Sequence, residues 1–292
     1  MKIGMISARL SYESLDLVNA GERRGHTVKI INPIITNLSD INSNIFIKSL
    51  LECDCVYYRN GLDISTKKVI FDFLTSNEIL LLDKHILFAT LFESKVLQLS
   101  FASNIGIRVP KTFSFSSMKP LFEDIVNKLG LPFIIKRSIS SQGKDVYKIS
   151  SEVEFDRLFA DAKNTRINAY IYQEFIPNDG DYRIFVVGNK VLGIMKRIPS
   201  IGSFKANISQ GATGEYVRDI KLIRKLSCIA EKITQAMKID VAGVDIIISI
   251  SNSKPYLIEI NDSPQWYGFN KYTKIDVAEK IIEFMEVCCS NV

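Results

Sequence analysis

The sequence predicts an α/β protein built of two or three lobes, and three observations carry that prediction. Short apolar, strand-forming runs alternate with segments of helical spacing over the first part of the chain, the pattern of an open, largely parallel sheet. A length of 292 residues exceeds the usual single domain yet suits small lobes that share one site. Further on, Gly188-Asn189 separates two apolar runs, a hairpin signal that a purely parallel fold lacks.

The elements follow in chain order. Met1 to Ile6 reads as a strand, followed by a helix in which Leu15 and Val18 share a face and which ends at Gly25, where a left-handed cap needs no Cβ. Strands are expected from Val28 to Ile31, Cys55 to Tyr58 and Ile79 to Leu82, with a helix from Lys67 to Thr75. This first unit is assigned to residues 1–92. A helix from Phe92 to Asn104 stops at Gly106, and Arg108 to Phe113 turns extended around Pro110. A strand at Phe133 to Lys136, a polar loop, a strand from Asp145 to Ile149 and a helix capped by Ser151 and Glu154 make a central lobe, assigned to 93–172. After the Tyr170 to Glu174 strand, a C-terminal lobe spans 173–292. It holds the hairpin Arg183 to Val187 and Lys190 to Met195, a helix from Ile220 to Met237, strands at Gly243 to Ile250 and Tyr256 to Ile260, and a helix from Asp276 to Val287.

Composition narrows the classes of function. Hydrophobic residues at 47% and charged residues at 24% allow a substantial core and exclude global disorder. No apolar run approaches the roughly 20 residues that span a bilayer, and the opening segment reads as a strand rather than a signal peptide, so the expectation is a cytoplasmic protein without membrane partners. The five cysteines, Cys53, Cys55, Cys228, Cys288 and Cys289, lack paired metal spacing and are expected to be reduced thiols. The net charge of +5 is dispersed, which fits anionic small molecules better than nucleic acid.

Two groups of residues carry chemistry. Asp245, Glu259 and Asn261 place oxygen-bearing side chains among strand-forming apolar residues, and period-two alternation points Glu259 and Asn261 to one face, where Asp245 from a neighbouring strand can join them. Three hard oxygen ligands suit magnesium; the alternative is a set of strand-end polar groups in a solvated hairpin. Lys136 ends an apolar strand just before Ser138-Ile139-Ser140-Ser141-Gln142-Gly143, where small residues let backbone N–H groups approach phosphate oxygens beside a compact cation. An ordinary hairpin turn is the alternative there, and neither GxxxxGK[ST] nor GxGxxG is present. Lys95 by itself reads as a surface lysine.

The order of these signals resembles the ATP-grasp family, specifically the RimK-like ligases, over roughly residues 90 to 285. The carriers are Lys95, Gly106 to Pro110, Pro132 to Lys136, Gln142-Gly143, Gln173-Glu174-Phe175-Ile176, Asp181-Tyr182-Arg183, Phe204 to Asn207, Val241 to Asp245 and Glu259 to Pro264. Residues 1 to 90 resemble the N-terminal domain of that family more loosely. The resemblance implies an ATP-grasp fold in which two lobes enclose ATP behind a pre-grasp domain. It implies that Lys95 and Lys136 contact nucleotide phosphates, that Ser141, Gln142 and Gly143 belong to a phosphate-covering loop, and that the backbone of Gln173, Glu174, Phe175 and Ile176 reads adenine. Asp181 would line the ribose side, and Arg183 and Arg197 would stabilise phosphate or acyl-phosphate charge, with structural salt bridging as their alternative. Asp245, Glu259 and Asn261 would hold magnesium, or manganese in its place. Lys205 and Asn207 match an Arg-Ser-Asn segment, so Lys205 departs by losing a planar guanidinium.

The same resemblance implies an amide-forming reaction through an acyl phosphate, with glutamate the favoured amine donor and a small molecule, peptide or protein terminus as the carboxylate, in a chain that can also be a homo-oligomer. An ATP-grasp kinase and a non-catalytic ATP-binding regulator are the rival readings. After Pro264, Gln265 replaces a small residue common in the family, and the following Trp266-Tyr267-Gly268-Phe269 is open between an acceptor pocket and local core.

Overall fold

The computed structural model of the chain describes residues 1–33, 45–83, 94–114, 120–137, 145–160, 170–202, 206–208 and 211–290. Its first unit is a parallel sheet of β1 (Lys2–Ile6), β2 (Thr27–Ile31), β3 (Cys55–Tyr58) and β4 (Leu80–Leu82), in the order β2-β1-β3-β4. Helices α1 (Tyr12–Arg23), α2 (Ile45–Leu51) and α3 (Ile64–Ser76) connect the strands. Side chains end the loops: Ser11 Oγ accepts from Ser14 N–H at the start of α1, and Asp63 accepts from Ser65 and Thr66 N–H at the start of α3. The strands lie within a residue of their sequence expectations, whereas α2 is an addition, two turns long and too short for its period to register. Strand order reverses between β1 and β3, the switch point at which open α/β sheets form a ligand crevice outside the carboxyl ends of their strands.

Helix α4 (Lys95–Asn104) comes next and packs through Leu99 and Ala102 with residues of the C-terminal sheet; the central lobe is built from β5 (Thr112–Ser114), α5 (Phe122–Leu129), β6 (Phe133–Arg137), β7 (Val146–Ile149), α6 (Glu152–Ala160) and β8 (Tyr170–Glu174). Its sheet runs β5-β8-β6-β7, antiparallel throughout. Phe133, Ile135, Phe155, Tyr170 and Tyr172 form its core. The capping expectation for α6 holds in part: Glu154 N–H donates to Ser151 Oγ at 3.4 Å, but the Glu154 carboxylate accepts from Ser150 N–H at 2.7 Å, one residue before the usual reciprocal partner.

The C-terminal lobe contains β9 (Asp181–Val187), β10 (Lys190–Ile198), β11 (Thr213–Tyr216), α7 (Ile220–Met237), β12 (Val241–Ile248), β13 (Pro255–Asn261), α8 (Tyr267–Thr273) and α9 (Val277–Ser290). Its antiparallel sheet is ordered β11-β10-β9-β12-β13. Gly188 and Asn189 take φ of 57° and 60°, the left-handed pair a two-residue hairpin requires. Strand β11 is mostly exposed, so it carries no buried period for a sequence reading to find.

Alternation along β9 divides the core. Tyr182, Ile184 and Val186 pack with α4 and α7 on one side of the sheet. Phe185 and Val187 face the other side, where Trp266, Phe269, Ile281 and Met285 join Ile3, Met5, Leu17 and Tyr57 of the first unit in one continuous cluster. The C-terminal helix α9 therefore packs against α1 as well as β9. A polar clasp closes the same junction: Asp83, 1% exposed, accepts from Asp240 N–H (2.7 Å) and Val241 N–H (2.9 Å), and Asp83 N–H donates to Asp240 (2.7 Å). All five cysteines are free thiols. Among the described residues no helix is long and apolar enough to cross a membrane.

Removing the Asp83 carboxylate strands two backbone donors. Asp83→Ala is expected to lower stability by roughly 2–6 kcal/mol, at about 1–3 kcal/mol per unsatisfied group, whereas Asp83→Asn keeps an acceptor oxygen and should recover most of it. Urea unfolding followed by fluorescence of Trp266, the sole tryptophan and part of this junction, measures both.

Candidate active site

The site is a row of charges laid across four strands by register. On β12, Asp245 stands opposite Glu259 of β13 and opposite Arg183 of β9, while Asp181 of β9 stands opposite Arg197 of β10. Asp181 and Arg183 share a face because they are two residues apart. The register shifts just after Asp245, the irregularity that brings Glu259 and Asn261 beside it. Asn261 Nδ2 donates to Gly243 O at 3.2 Å and lies 3.5 Å from Asp245 Oδ2.

Asp245, 5% exposed, is gripped from two sides: Arg183 makes a two-point contact through Nε and Nη2 (2.5 and 2.8 Å), and Arg197 Nη2 lies 2.9 Å away. Arg197 also grips Asp181 through Nε (2.5 Å) and Nη2 (2.7 Å). Burial pushes both acids toward the neutral form. For Asp245 the two guanidinium groups outweigh burial and hold the carboxyl below its ordinary value; for Asp181 burial prevails and raises it. Two glycines make room. At Gly180 (φ 128°) a Cβ would lie 2.3 Å from Arg197 O, and at Gly243 it would lie 3.0 Å from Arg183 Nη1 and 3.1 Å from Pro264 Cβ.

The lysines reach this row from other elements. Lys95, at the start of α4, places Nζ 3.2 Å from Glu259 Oε1. Lys136 extends from β6 of the central lobe and is 4% exposed; desolvation pulls its pKa down to about 8, with Lys95 acting in the same direction and the carboxylates of Glu259 and Asp245 opposing. A buried ammonium from one lobe thus confronts carboxylates from the other.

Between the lobes runs Gln173 to Ile176. Gln173 Nε2 donates to Thr112 Oγ1 (2.7 Å), Lys111 N–H donates to the Glu174 carboxylate (3.2 Å), Lys148 Nζ sits 4.2 Å from the centre of the Phe175 ring, and Ile176 is buried. These contacts fix the crossing from β8 toward β9. Asn207 lies between β10 and β11, its carbonyl accepting from Ala212 N–H at 3.4 Å. Ser141, Gln142, Gly143 and Lys205, the rest of the expected nucleotide set, lie outside the described residues.

Among the described residues no three His, Cys, Asp or Glu side chains form a metal-holding group. The expected oxygen set adds an amide to two carboxylates: Asp245 stands opposite Glu259, and Asn261 lies two residues beyond Glu259 on the same strand; oxygen donors of these types fit magnesium, although Asp245 is bonded by both arginines. Arg183 and Arg197 accordingly do form the salt bridges that were their alternative reading. In the aromatic segment, Trp266 and Phe269 are 0% and 1% exposed and belong to the core, while Tyr267 is exposed. Sequence reasoning overlooked Arg59. It is 5% exposed and donates from Nη1 to Pro264 O at 3.0 Å, and its one sequence signal was a charge directly at the carboxyl end of an apolar strand.

The model of the RimK-like ATP-grasp domain matches residues 92–285. The chain belongs to this family. Among curated relatives, a probable alpha-L-glutamate ligase of Vibrio atlanticus is 31% identical over 98% of this chain and 95% of that protein, and one from Legionella pneumophila is 32% identical over the same shares. Among solved structures, a RimK-domain ATP-grasp protein from Sphaerobacter thermophilus superposes with TM-score 0.69 at 19% identity, covering 97% of this chain and 99% of that one. D-alanine–D-alanine ligase from Bacillus anthracis, complexed with ATP, reaches 0.74 at 16%, covering 100% and 98%. The RimK-like ATP-grasp fold expected from the residue order is thereby established, with its parallel first sheet and two antiparallel sheets.

Arg197→Met would leave Asp181 and Asp245 with Arg183 as the remaining guanidinium in the row. Breaking such a buried pair costs about 3–5 kcal/mol, so a loss of that size is expected in chemical denaturation, and a loss below about 1 kcal/mol would show the row to be solvated.

Proposed function

We propose that this RimK-like protein is an ATP-dependent ligase that joins a carboxylate to the amine of an amino acid, with glutamate the favoured donor and a peptide, protein terminus or small molecule supplying the carboxylate. The observation that carries the reading is that Lys136, from the central sheet, and Lys95, from α4, both meet the carboxylate side of the C-terminal sheet at Glu259 and Asp245 in this family's fold. The names of the relatives support the choice of glutamate.

In this reaction a substrate carboxylate oxygen attacks the γ-phosphorus of ATP, the bond from that phosphorus to the β–γ bridging oxygen breaks, and ADP leaves an acyl phosphate. The amine nitrogen then attacks the acyl carbon, the C–O bond to phosphate breaks, and the amine gives up a proton. Lys95 and Lys136 hold nucleotide phosphates, Arg183 and Arg197 offset charge on the transferred group, and residues 173–176 carry the adenine side, with Asp181 toward the ribose. Ser141, Gln142, Gly143, Lys205 and Asn207 are assigned to the phosphate side. Such groups are already in place when charge develops, so little reorganisation is needed. Glu259, Asn261 and Asp245 would hold magnesium or manganese, which supplies charge neutralisation to the phosphates.

The test supplies ATP, L-glutamate and a panel of carboxylates, one oxygen-18 labelled, and follows products by mass. Amide formation with transfer of one labelled oxygen to released phosphate is expected. Amide without that transfer would rule out phosphoryl activation, and a stable phosphorylated product would make the protein a kinase. Glu259→Gln keeps the side chain's size but loses its charge, and should lower magnesium-dependent turnover on the order of 10²-fold with the fold unchanged by circular dichroism.

The depressed pKa of Lys136 adds a pH signature. The free enzyme keeps its ammonium below pH about 8 and loses it above, so kcat/KM for ATP should fall above that value, by up to about tenfold per pH unit for one proton. Bound phosphate restores the proton, so kcat should stay level to higher pH. Lys136→Arg, which does not titrate in this range, should remove the basic limb; a limb that persists in that variant belongs to another group.

A further inference from the structure

Arg59 sits where a cation needs an anion. It follows the last residue of β3, at the carboxyl edge of the parallel sheet and on the strand pair where the order reverses. In open α/β sheets that crevice is where ligands bind. Strand β1 ends beside it: Arg59 N–H donates to Ile6 O at 2.9 Å, and Ala8 N–H donates to Asn60 Oδ1 at 3.0 Å. The N-terminus of α1, with Ser11 as its cap, opens at the same edge.

The guanidinium is 5% exposed and has only neutral company. Nη1 donates to Pro264 O (3.0 Å) and to Tyr57 Oη (3.4 Å), and the group lies 4.7 Å from the Trp266 ring centre and 5.9 Å from that of Tyr57. Among the described residues no carboxylate pairs with it. The acids packed nearby are engaged elsewhere: Glu13 accepts the Trp266 backbone N–H (3.3 Å), Asp16 accepts its indole N–H (2.8 Å), and Asp83 accepts from Asp240 and Val241 N–H. Asp262 and Asp83 act on the Tyr57 hydroxyl through space, without an ion pair to Arg59. A carbonyl dipole and two aromatic faces do not neutralise a desolvated charge, and an uncompensated buried ion is costly to a fold.

The position is close to the reacting end. Pro264 follows Asn261 by three residues, so their Cα atoms are at most about 11 Å apart. The Cβ position of Gly243 is 3.1 Å from Pro264 Cβ and 3.0 Å from Arg183 Nη1, which makes Pro264 the spacer between Arg59 and the charge row.

We propose that Arg59 binds a substrate carboxylate, holding the acidic co-substrate in the crevice between the first unit and residues 264–266. A guanidinium presents paired N–H donors to a carboxylate and discriminates against its amide. This assignment rests on the ligase reading for the identity of the ligand, but not on turnover.

Equilibrium binding separates the two. With a non-hydrolysable ATP analogue and magnesium present, the probes are L-glutamate, L-glutamine, and a short peptide with either a free or an amidated C-terminus; the two pairs distinguish an amino-acid carboxylate from that of an acceptor. Wild-type protein is expected to prefer a carboxylate to its amide. Arg59→Gln should weaken that carboxylate roughly tenfold to hundredfold, with Arg59→Lys intermediate, and both should keep analogue affinity within about twofold and the thermal midpoint near that of wild type. Undiminished carboxylate binding in Arg59→Gln overturns the assignment. So does wild-type protein that binds the analogue but none of the carboxylates, or a parallel loss of analogue and carboxylate affinity in both variants, which would mark a structural role. Carboxylate binding through Arg59 in a protein that forms no amide would refute the ligase reading and leave this one standing, and normal amide formation by Arg59→Gln would do the reverse.

Discussion

The buried carboxylate of Asp245, held between Arg183 and Arg197, is the constraint on which the site is built. A carboxylate this far from water stays ionised only if cations reach it, and two strands, β9 and β10, deliver one each. Arg197 then ties Asp181 into the row, so register across β10, β9, β12 and β13 becomes a geometric requirement. A slip of one residue on any of these strands would turn its charge into the opposite core. Gly180 and Gly243 belong to the same constraint, since each occupies a place where a side chain would displace an arginine or its backbone.

From that row the rest of the molecule follows as support. Helices α4 and α7 cover one face of the C-terminal sheet, and α4 brings Lys95 onto Glu259. The other face merges with the first parallel sheet through Trp266, Phe269 and α9, which aligns the carboxyl ends of β1 and β3 with the turn that follows Asn261. The central lobe contributes Lys136 from a separate sheet, so its ammonium meets the carboxylates only when the lobes face each other.

Much of the site was legible in the chain because its residues break a local pattern. Lys136 closes an apolar strand, Asp245 interrupts another, and Glu259 and Asn261 fall two apart on a third; each is a polar group where period-two alternation predicts burial. Arg59 broke the pattern as well, but it lies just past a strand end, where charged residues are common, and nothing local distinguishes a buried terminus from an exposed one. Trp266 presented the opposite difficulty: an aromatic residue beside polar neighbours fits a pocket or a core equally until its surroundings are known.

By itself, the sequence determined the alternation of strands and helices, the hairpin at Gly188-Asn189, the length of α7 and the candidates for phosphate and oxygen-ligand chemistry, because propensity, turn chemistry and periodicity act over a few neighbouring residues. Tertiary structure alone decided that Asp245 is shared by two arginines, that β11 and α8 form, that α9 closes onto the first unit, and that Arg59 is buried without a carboxylate. Those outcomes depend on contacts between residues as far apart as Arg59 and Pro264. Desolvation and strand register, which act across such distances, leave no mark in a local window of sequence.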